Sequence, residues 1–209
     1  MYSIKEIFYS LQGEGARTGR PAIFLRFSGC NLWNGREEDR HQAICKFCDT
    51  DFVGTDGSLG GKYENARQLV EVLQSIWPEP SVPAYVICTG GEPLLQLDQE
   101  LVDALHAVNF EIGLETNGTL QPPTGIDWIC MSPKSILQLA ITQGDELKFI
   151  YPQQELEPHL FEHLPFKHFF IQPKDGPDLE RNIRLSLDYC LNHPKWSLSL
   201  QTHKLLNIR

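Results

Sequence analysis

The sequence predicts an α/β fold, built as an incomplete, TIM-like (β/α) barrel. Three observations carry that prediction. Short apolar runs of strand length alternate with segments whose apolar residues recur at helical spacing. The strands then end, one after another, in polar motifs: Thr89-Gly90-Gly91-Glu92, Glu115-Thr116-Asn117, Ser132-Pro133-Lys134, Gln172-Pro173-Lys174-Asp175 and Gln201-Thr202-His203. Chemistry gathered on one rim of successive strand ends is the habit of barrels, whereas a doubly wound sheet concentrates its site at one switch point. Finally, 209 residues are too few for a standard eight-fold barrel.

Each element has its own signal. Ile4 to Ser10 and Ala22 to Phe27 read as strands around a Gly-rich turn. Asn65 to Trp77 reads as a helix with Leu69, Val72, Leu73 and Ile76 on one face, stopped by Pro78 and Pro80. Ala84 to Cys88 fits a buried strand. Gln96 to Val108 repeats Leu97, Leu101 and Leu105 at helical spacing. Phe110 to Leu114, Ile126 to Met131, Leu147 to Tyr151 and His168 to Ile171 follow as strands. Leu179, Ile183, Leu187 and Leu191 mark a last amphipathic helix, ended near His193-Pro194, and Trp196 to Leu200 a last strand. Residues 1–209 are expected to form one domain.

Composition narrows the function. Hydrophobic residues make up 41% and charged residues 22%, so a packed core is expected and disorder is not. The formal charge is −9, and no Lys/Arg cluster interrupts it, which argues against nucleic acid as a partner. No apolar run reaches the length of a membrane span, and the N-terminus has no secretory pattern. The expected location is therefore a reducing cytoplasm, where thiols are free for metals or chemistry.

Six cysteines divide into two groups. Cys88, Cys130 and Cys190 are scattered beside apolar residues and read as core thiols. Cys30, Cys45 and Cys48 cluster, with 14 residues in the first gap and a C-x2-C in the second. Three thiolates on one loop point to a metal. Zinc would want a fourth ligand, for which His41 is available. An iron–sulfur cluster with only three cysteines would leave one iron open to a ligand. At the end of the Ala84–Cys88 strand, Gly90 and Gly91 let a ligand approach the backbone, and Glu92 can accept from an ammonium.

The three-cysteine loop together with Thr89-Gly90-Gly91-Glu92-Pro93 resembles the radical S-adenosylmethionine (SAM) superfamily. There a [4Fe–4S] cluster binds the amino and carboxylate groups of SAM and reduces it to a 5′-deoxyadenosyl radical. The 14-residue gap departs from the superfamily's usual C-x3-C-x2-C and points to a subgroup. The segments Phe8-Tyr9-Ser10-Leu11-Gln12-Gly13-Glu14-Gly15, Arg26-Phe27-Ser28-Gly29-Cys30-Asn31-Leu32 and Cys48-Asp49-Thr50 resemble the 7-carboxy-7-deazaguanine synthase family. So do Glu115-Thr116-Asn117-Gly118, Ser132-Pro133-Lys134 and Gln201-Thr202-His203-Lys204. The resemblance covers nearly the whole chain in order, and it makes residues 30–50 an expanded cluster-binding loop.

The resemblance implies conversion of 6-carboxy-5,6,7,8-tetrahydropterin to 7-carboxy-7-deazaguanine with loss of ammonia, on the route to queuosine. It places Glu14, the backbone of Leu11, Gln12 and Gly13, Thr89, His203 and the terminal carboxylate of Arg209 at the substrate, with Arg26 on the substrate carboxylate. It places Phe47, Asp49, Gly91, Glu92, Ser132, Pro133, Lys134, Gln172, Pro173, Lys174 and Asp175 at SAM. Glu115 and Asn117 orient neighbours or touch SAM. Cys30, Cys45 and Cys48 hold the cluster, and Thr50 holds Mg2+, although the residues alone favour a helix cap for Thr50. An electron donor such as flavodoxin and a homodimer are implied in the same way. Two other readings stay open at this point: an activase that makes a glycyl radical on a partner protein, and a non-catalytic zinc module.

Overall fold

In the computed structural model, all residues except 137 and 138 are described. The chain begins with an antiparallel hairpin, β1 (Tyr2–Leu11) and β2 (Pro21–Phe27). A short strand, β3 (Gly61–Tyr63), adds to the outer edge of β1. From β2 onward every pairing is parallel, through β4 (Tyr85–Gly90), β5 (Glu111–Thr116), β6 (Trp128–Met131), β7 (Gly144–Tyr151), β8 (Phe166–Pro173) and β9 (Ser197–Leu198). The sheet order is β3-β1-β2-β4-β5-β6-β7-β8-β9. Its two edges, β3 and β9, do not pair, so the barrel is incomplete as expected.

Helices cover only part of the outside. α1 (Ala66–Ile76) starts where the Asn65 side chain accepts from Gln68 N, and it buries Leu69, Val70 and Leu73. α2 (Gln99–Ala107) begins three residues later than the apolar spacing suggests, because Asp98 caps it by accepting from Leu101 N at 3.0 Å. Both helices bury their apolar faces against β1, β2, β4 and β5 in one core. A second core, containing Leu147, Phe149, Phe161, Ile171 and Trp196, supports β6 to β8.

α3 (Leu179–Asn192) forms where its period predicts but faces the other way. Leu179, Ile183, Leu187 and Leu191, the expected buried stripe, are 36%, 36%, 45% and 73% exposed, while Asn182 and Ser186 are buried. The reason lies at the end of β8. Asn182 Nδ2 donates to Lys174 O at 2.8 Å, which turns this polar face inward, and Tyr189 and Cys190 pack on the second core. Cys88 is buried among apolar side chains, as read from the sequence. Cys190 is only partly buried, and Cys130 meets an acid rather than a purely apolar wall.

Candidate active site

The parallel strands leave their C-terminal ends on one rim, and those ends line a cavity of about 400 Å3. That is within the range of small-molecule sites. The opposite end of the sheet is plugged. Arg17 and Arg20 both donate to Glu111 and lie over the Tyr85 ring, with Arg17 also over Trp128. The cavity opens on the rim that the sequence loads with polar motifs.

One wall carries the thiols. Cys45 and Cys48 line the cavity. Cys30 stands behind Gly91, where a Cβ would come within 2.8 Å of Cys30 Cβ and 2.2 Å of Gly29 O. Gly91 is therefore required by close approach between the β4 end and the cysteine loop. Hydrogen bonding from Cys48 lowers the Cys45 thiol against its burial, helped by Lys134 and Arg40. The same hydrogen bond pushes the Cys48 thiol up, and burial pushes up Cys30. The loop between the first two cysteines forms a short 3-10 helix at Glu37–Gln42. His41, the candidate fourth zinc ligand, is spent inside that helix: Nδ1 lies 3.0 Å from Glu38 O, and Nε2 accepts from Gln42. Among the described residues no three Cys, His, Asp or Glu side chains are gathered closely enough to hold a metal ion, but three soft thiols on one loop are the donor type that an iron–sulfur cluster takes.

The facing wall is ionic. Lys148 on β7 is 3% exposed and donates to Glu14 Oε2 at 2.6 Å and Glu115 Oε2 at 2.9 Å. Burial alone would depress its ammonium, but Cys130, Glu115, Glu14 and Glu146 around it hold it well above its ordinary value. Burial would likewise raise the Glu14 carboxyl. Lys148, with a 2.9 Å hydrogen bond from Gln201 Nε2, outweighs burial and brings Glu14 down to about 2. Glu14 is thus a fixed carboxylate. His203 sits so close to Gly13 that a Cβ there would lie 2.2 Å from its Nδ1. Burial lowers the His203 imidazole below its usual value, which keeps it neutral near pH 7.

Most expected residues line this cavity. From the substrate group these are Gln12, Glu14, Arg26, Thr89 and His203; from the SAM group, Phe47, Asp49, Gly91, Ser132, Lys134, Gln172, Pro173, Lys174 and Asp175; and Thr50. Arg26 donates from Nε to Glu6 at 2.9 Å, and its terminal nitrogens donate to no described residue. Thr50 caps no helix; it lies in the loop beside Asp49 and Asp51.

Of the other expected residues, Leu11, Gly13 and Pro133 are not among those that line the cavity. Arg209 leans away from it: its main-chain oxygen accepts from Ser10 at 2.5 Å, and its guanidinium reaches Glu6 and covers Phe8. Glu92 is fully buried behind the wall. Its carboxylate accepts from Leu94 N, Thr116 Oγ1 and Asn117 N, which ties the ends of β4 and β5 together. Asn117 extends that tie by donating to Asn31 beside Cys30 at 3.0 Å. Glu92 thus holds the β4 and β5 ends that shape the site.

Sequence reasoning missed Lys148 and Glu146. The signal was present, since two charges at alternate positions of an apolar strand share one face with each other and not with Leu147 and Phe149. It also missed α4 (Thr202–Leu206), which carries His203 and Lys204 to the rim.

An open parallel sheet with cysteines, a Gly-Gly turn and an ionic wall on one rim defines the partial barrel of a radical SAM enzyme. No family model matches the chain. It is 57% identical over 207 residues to the 7-carboxy-7-deazaguanine synthase of Burkholderia multivorans, covering 99% of both chains. It is likewise 57% identical over 208 residues to that of Bradyrhizobium diazoefficiens, covering 100% of this chain and 99% of that one. The crystal structure of QueE from Escherichia coli superposes with a TM-score of 0.69 at 25% identity, covering 95% of this chain and 93% of that one. The chain belongs to the 7-carboxy-7-deazaguanine synthase family.

Proposed function

We propose that the chain converts 6-carboxy-5,6,7,8-tetrahydropterin to 7-carboxy-7-deazaguanine with loss of ammonia, as a step toward queuosine. The observation that carries this reading is one cavity with thiols on one wall and a fixed carboxylate, a buried lysine and an arginine on the others. The pterin has a guanidine-like edge of donors. Glu14, held ionised by Lys148, accepts from such an edge without needing to lose a proton first. Arg26 keeps its terminal nitrogens for the substrate carboxylate, because Glu6 takes only Nε. The neutral His203 ring can donate or accept one further hydrogen bond.

Cys30, Cys45 and Cys48 would hold a [4Fe–4S] cluster, and Thr50 would supply one oxygen to Mg2+, which takes few protein ligands. SAM would lie along Gly91, Ser132, Lys134, Gln172 and Lys174, with Asp49 and Asp175 fixed beside it through Lys204 at 2.7 and 2.5 Å. Bound together, the cluster and SAM supply the one-electron chemistry that starts the reaction. The protein's own part is to orient the ring and keep it dry. Residues 1–209 act as one radical SAM unit, fed by an electron donor such as flavodoxin, in the cytoplasm and as a homodimer. Among the described residues no helix is long and apolar enough to cross a membrane.

The test is product formation. Reconstituted protein with SAM, Mg2+, dithionite and the tetrahydropterin, without oxygen, is expected to release the deazaguanine and ammonia. Cluster-replete protein that makes neither, but installs a glycyl radical on a partner, would establish the activase reading instead.

A further inference from the structure

Gly15 closes the segment from Phe8 to Gly15 that the sequence singles out, yet it does not line the cavity. Its backbone is left-handed, with φ +67°. A Cβ there would collide with Glu146 Oε1 and lie 2.5 Å from Glu146 Cδ. The chain thus turns directly over a buried carboxyl group, at a distance that only glycine allows. Glu146 is 2% exposed and does not line the cavity either. Both of its oxygens are engaged: Oε2 accepts from Ala16 N at 3.0 Å, and Cys130 Sγ donates to Oε1 at 3.5 Å.

This contact sits one step from Glu14. The amides that follow it in the turn are each held: Glu14 N donates to Gln12 Oε1 at 3.1 Å, Gly15 N to Ser199 Oγ at 2.9 Å, and Ala16 N to Glu146. Glu146 and Lys148 alternate with Leu147 along β7, so they share one face of the strand. Lys148 takes the Glu14 carboxylate, and Glu146 takes the main chain two residues further on. One strand therefore fixes Glu14 at both ends, its charge and its backbone. The second hold needs no charge, because a neutral carbonyl accepts from an amide as a carboxylate does. Burial indeed pushes the Glu146 carboxyl up, with Lys148 opposing and Glu115 adding to the rise.

We propose that Glu146 is a positioning residue for substrate recognition: by holding Ala16 N beneath Gly15 it aims Glu14 at the donor edge of the pterin. The proposal rests on the functional reading above, because that reading supplies the pterin as the target of Glu14. Glu146 lies behind the cavity wall and acts through the turn. Its effect therefore falls on binding, which substrate and transition state share, and appears in KM rather than in kcat.

The test is steady-state kinetics of the reconstituted enzyme with SAM, Mg2+ and dithionite, comparing wild type with Glu146→Gln, Glu146→Asp and Glu146→Leu. Gln keeps the length and an acceptor for Ala16 N, and its amide can donate to Cys130 Sγ. Asp keeps the charge but falls one carbon short. Leu keeps neither acceptor nor charge. KM for the tetrahydropterin is expected to stay within about threefold of wild type in Glu146→Gln and to rise roughly tenfold in Glu146→Asp and Glu146→Leu. In all three, kcat, the SAM dissociation constant and the cluster's EPR spectrum are expected to stay as in wild type. Glu146→Gln as weak as Glu146→Leu overturns the proposal, since charge and not the hydrogen bond would then matter. So does a fall in SAM affinity or kcat in step with the rise in KM, which would assign Glu146 to general support of the barrel. If Glu146→Leu does not fold, the contrast between Gln and Asp decides alone. An active wild type with KM unchanged in Glu146→Asp overturns this role only. A wild type that makes no product overturns the functional reading, and this role with it.

Discussion

Replacing Lys148 by Met removes the cation that bridges Glu14 and Glu115 while keeping its length. The magnitude follows from Glu14. Its carboxyl lies at about 2 in the folded protein against an ordinary 4.5. At 1.36 kcal/mol per tenfold in acidity, that is about 3 kcal/mol of folding stability, the low end expected for breaking a buried pair. The side chains are 4% and 18% exposed for Lys148 and Glu14, so solvent screens little of it. A loss of about 3 kcal/mol lowers Tm by roughly 6–12 °C in a chain of this size. The sign with pH is also fixed. In the wild type the depressed Glu14 stabilises above pH 4.5 and the gain is lost as pH falls toward 2. In Lys148→Met, burial, the largest influence on the Glu14 carboxyl, is opposed only by the Gln201 hydrogen bond and the nearby His203 and raises it, so stability is expected to rise as pH falls from 8 to 5. Anaerobic thermal melts of the cluster-free protein across that range measure both. A variant as stable as wild type, with a flat profile from pH 5 to 8, would refute the assignment of Lys148 as the group that holds Glu14 ionised.

Three other outcomes are expected. Gly91→Ala forces a Cβ to within 2.2 Å of Gly29 O and 2.8 Å of Cys30 Cβ; iron and sulfide content after reconstitution should fall well below wild type while the far-UV CD spectrum is kept. Cys30→Ala, Cys45→Ala or Cys48→Ala should each abolish cluster absorbance and turnover, whereas Cys88→Ala should cost about 1–2 kcal/mol in urea melts and keep the cluster. Leu191→Lys, at a position 73% exposed, should change stability by less than about 0.5 kcal/mol in dilute protein; a larger loss would show that the α3 stripe is covered in solution.

Much of this molecule is legible in its sequence because local chemistry and fold agree. The start at Asn65, the prolines after Trp77 and the apolar runs at β4 to β8 each mark an element through backbone bonding or burial, whereas the Asp98 cap that starts α2 went unread. Ordered polar motifs at strand ends mark the rim, since a parallel sheet puts all those ends on one side. What is not legible depends on tertiary partners. α3 has a helical apolar period, but one hydrogen bond from Asn182 to the β8 end decides which face turns inward. Glu92 has the chemistry of a ligand for ammonium. Three backbone and hydroxyl donors reach it first, and only the packing of β4 against β5 brings them there. Lys148 is readable as a charge on an apolar strand, but its partner is not: Glu14 lies 134 residues away and meets it only in the fold.

The rim is completed by chain segments that are made far apart in time. Gly13 O accepts from Thr202 N at 2.9 Å and from its hydroxyl, Ser199 Oγ accepts from Gly15 N, and Gln201 reaches Glu14. During synthesis all three cluster cysteines have been made before most of the sheet exists, and some 150 residues before Gln201. At ribosomal speed that interval is about 8–30 s. Through it the thiols face a basin with one bank missing. The final residues close that bank, so the pocket beside Cys45 and Cys48 takes its finished shape only once the C-terminal segment has emerged.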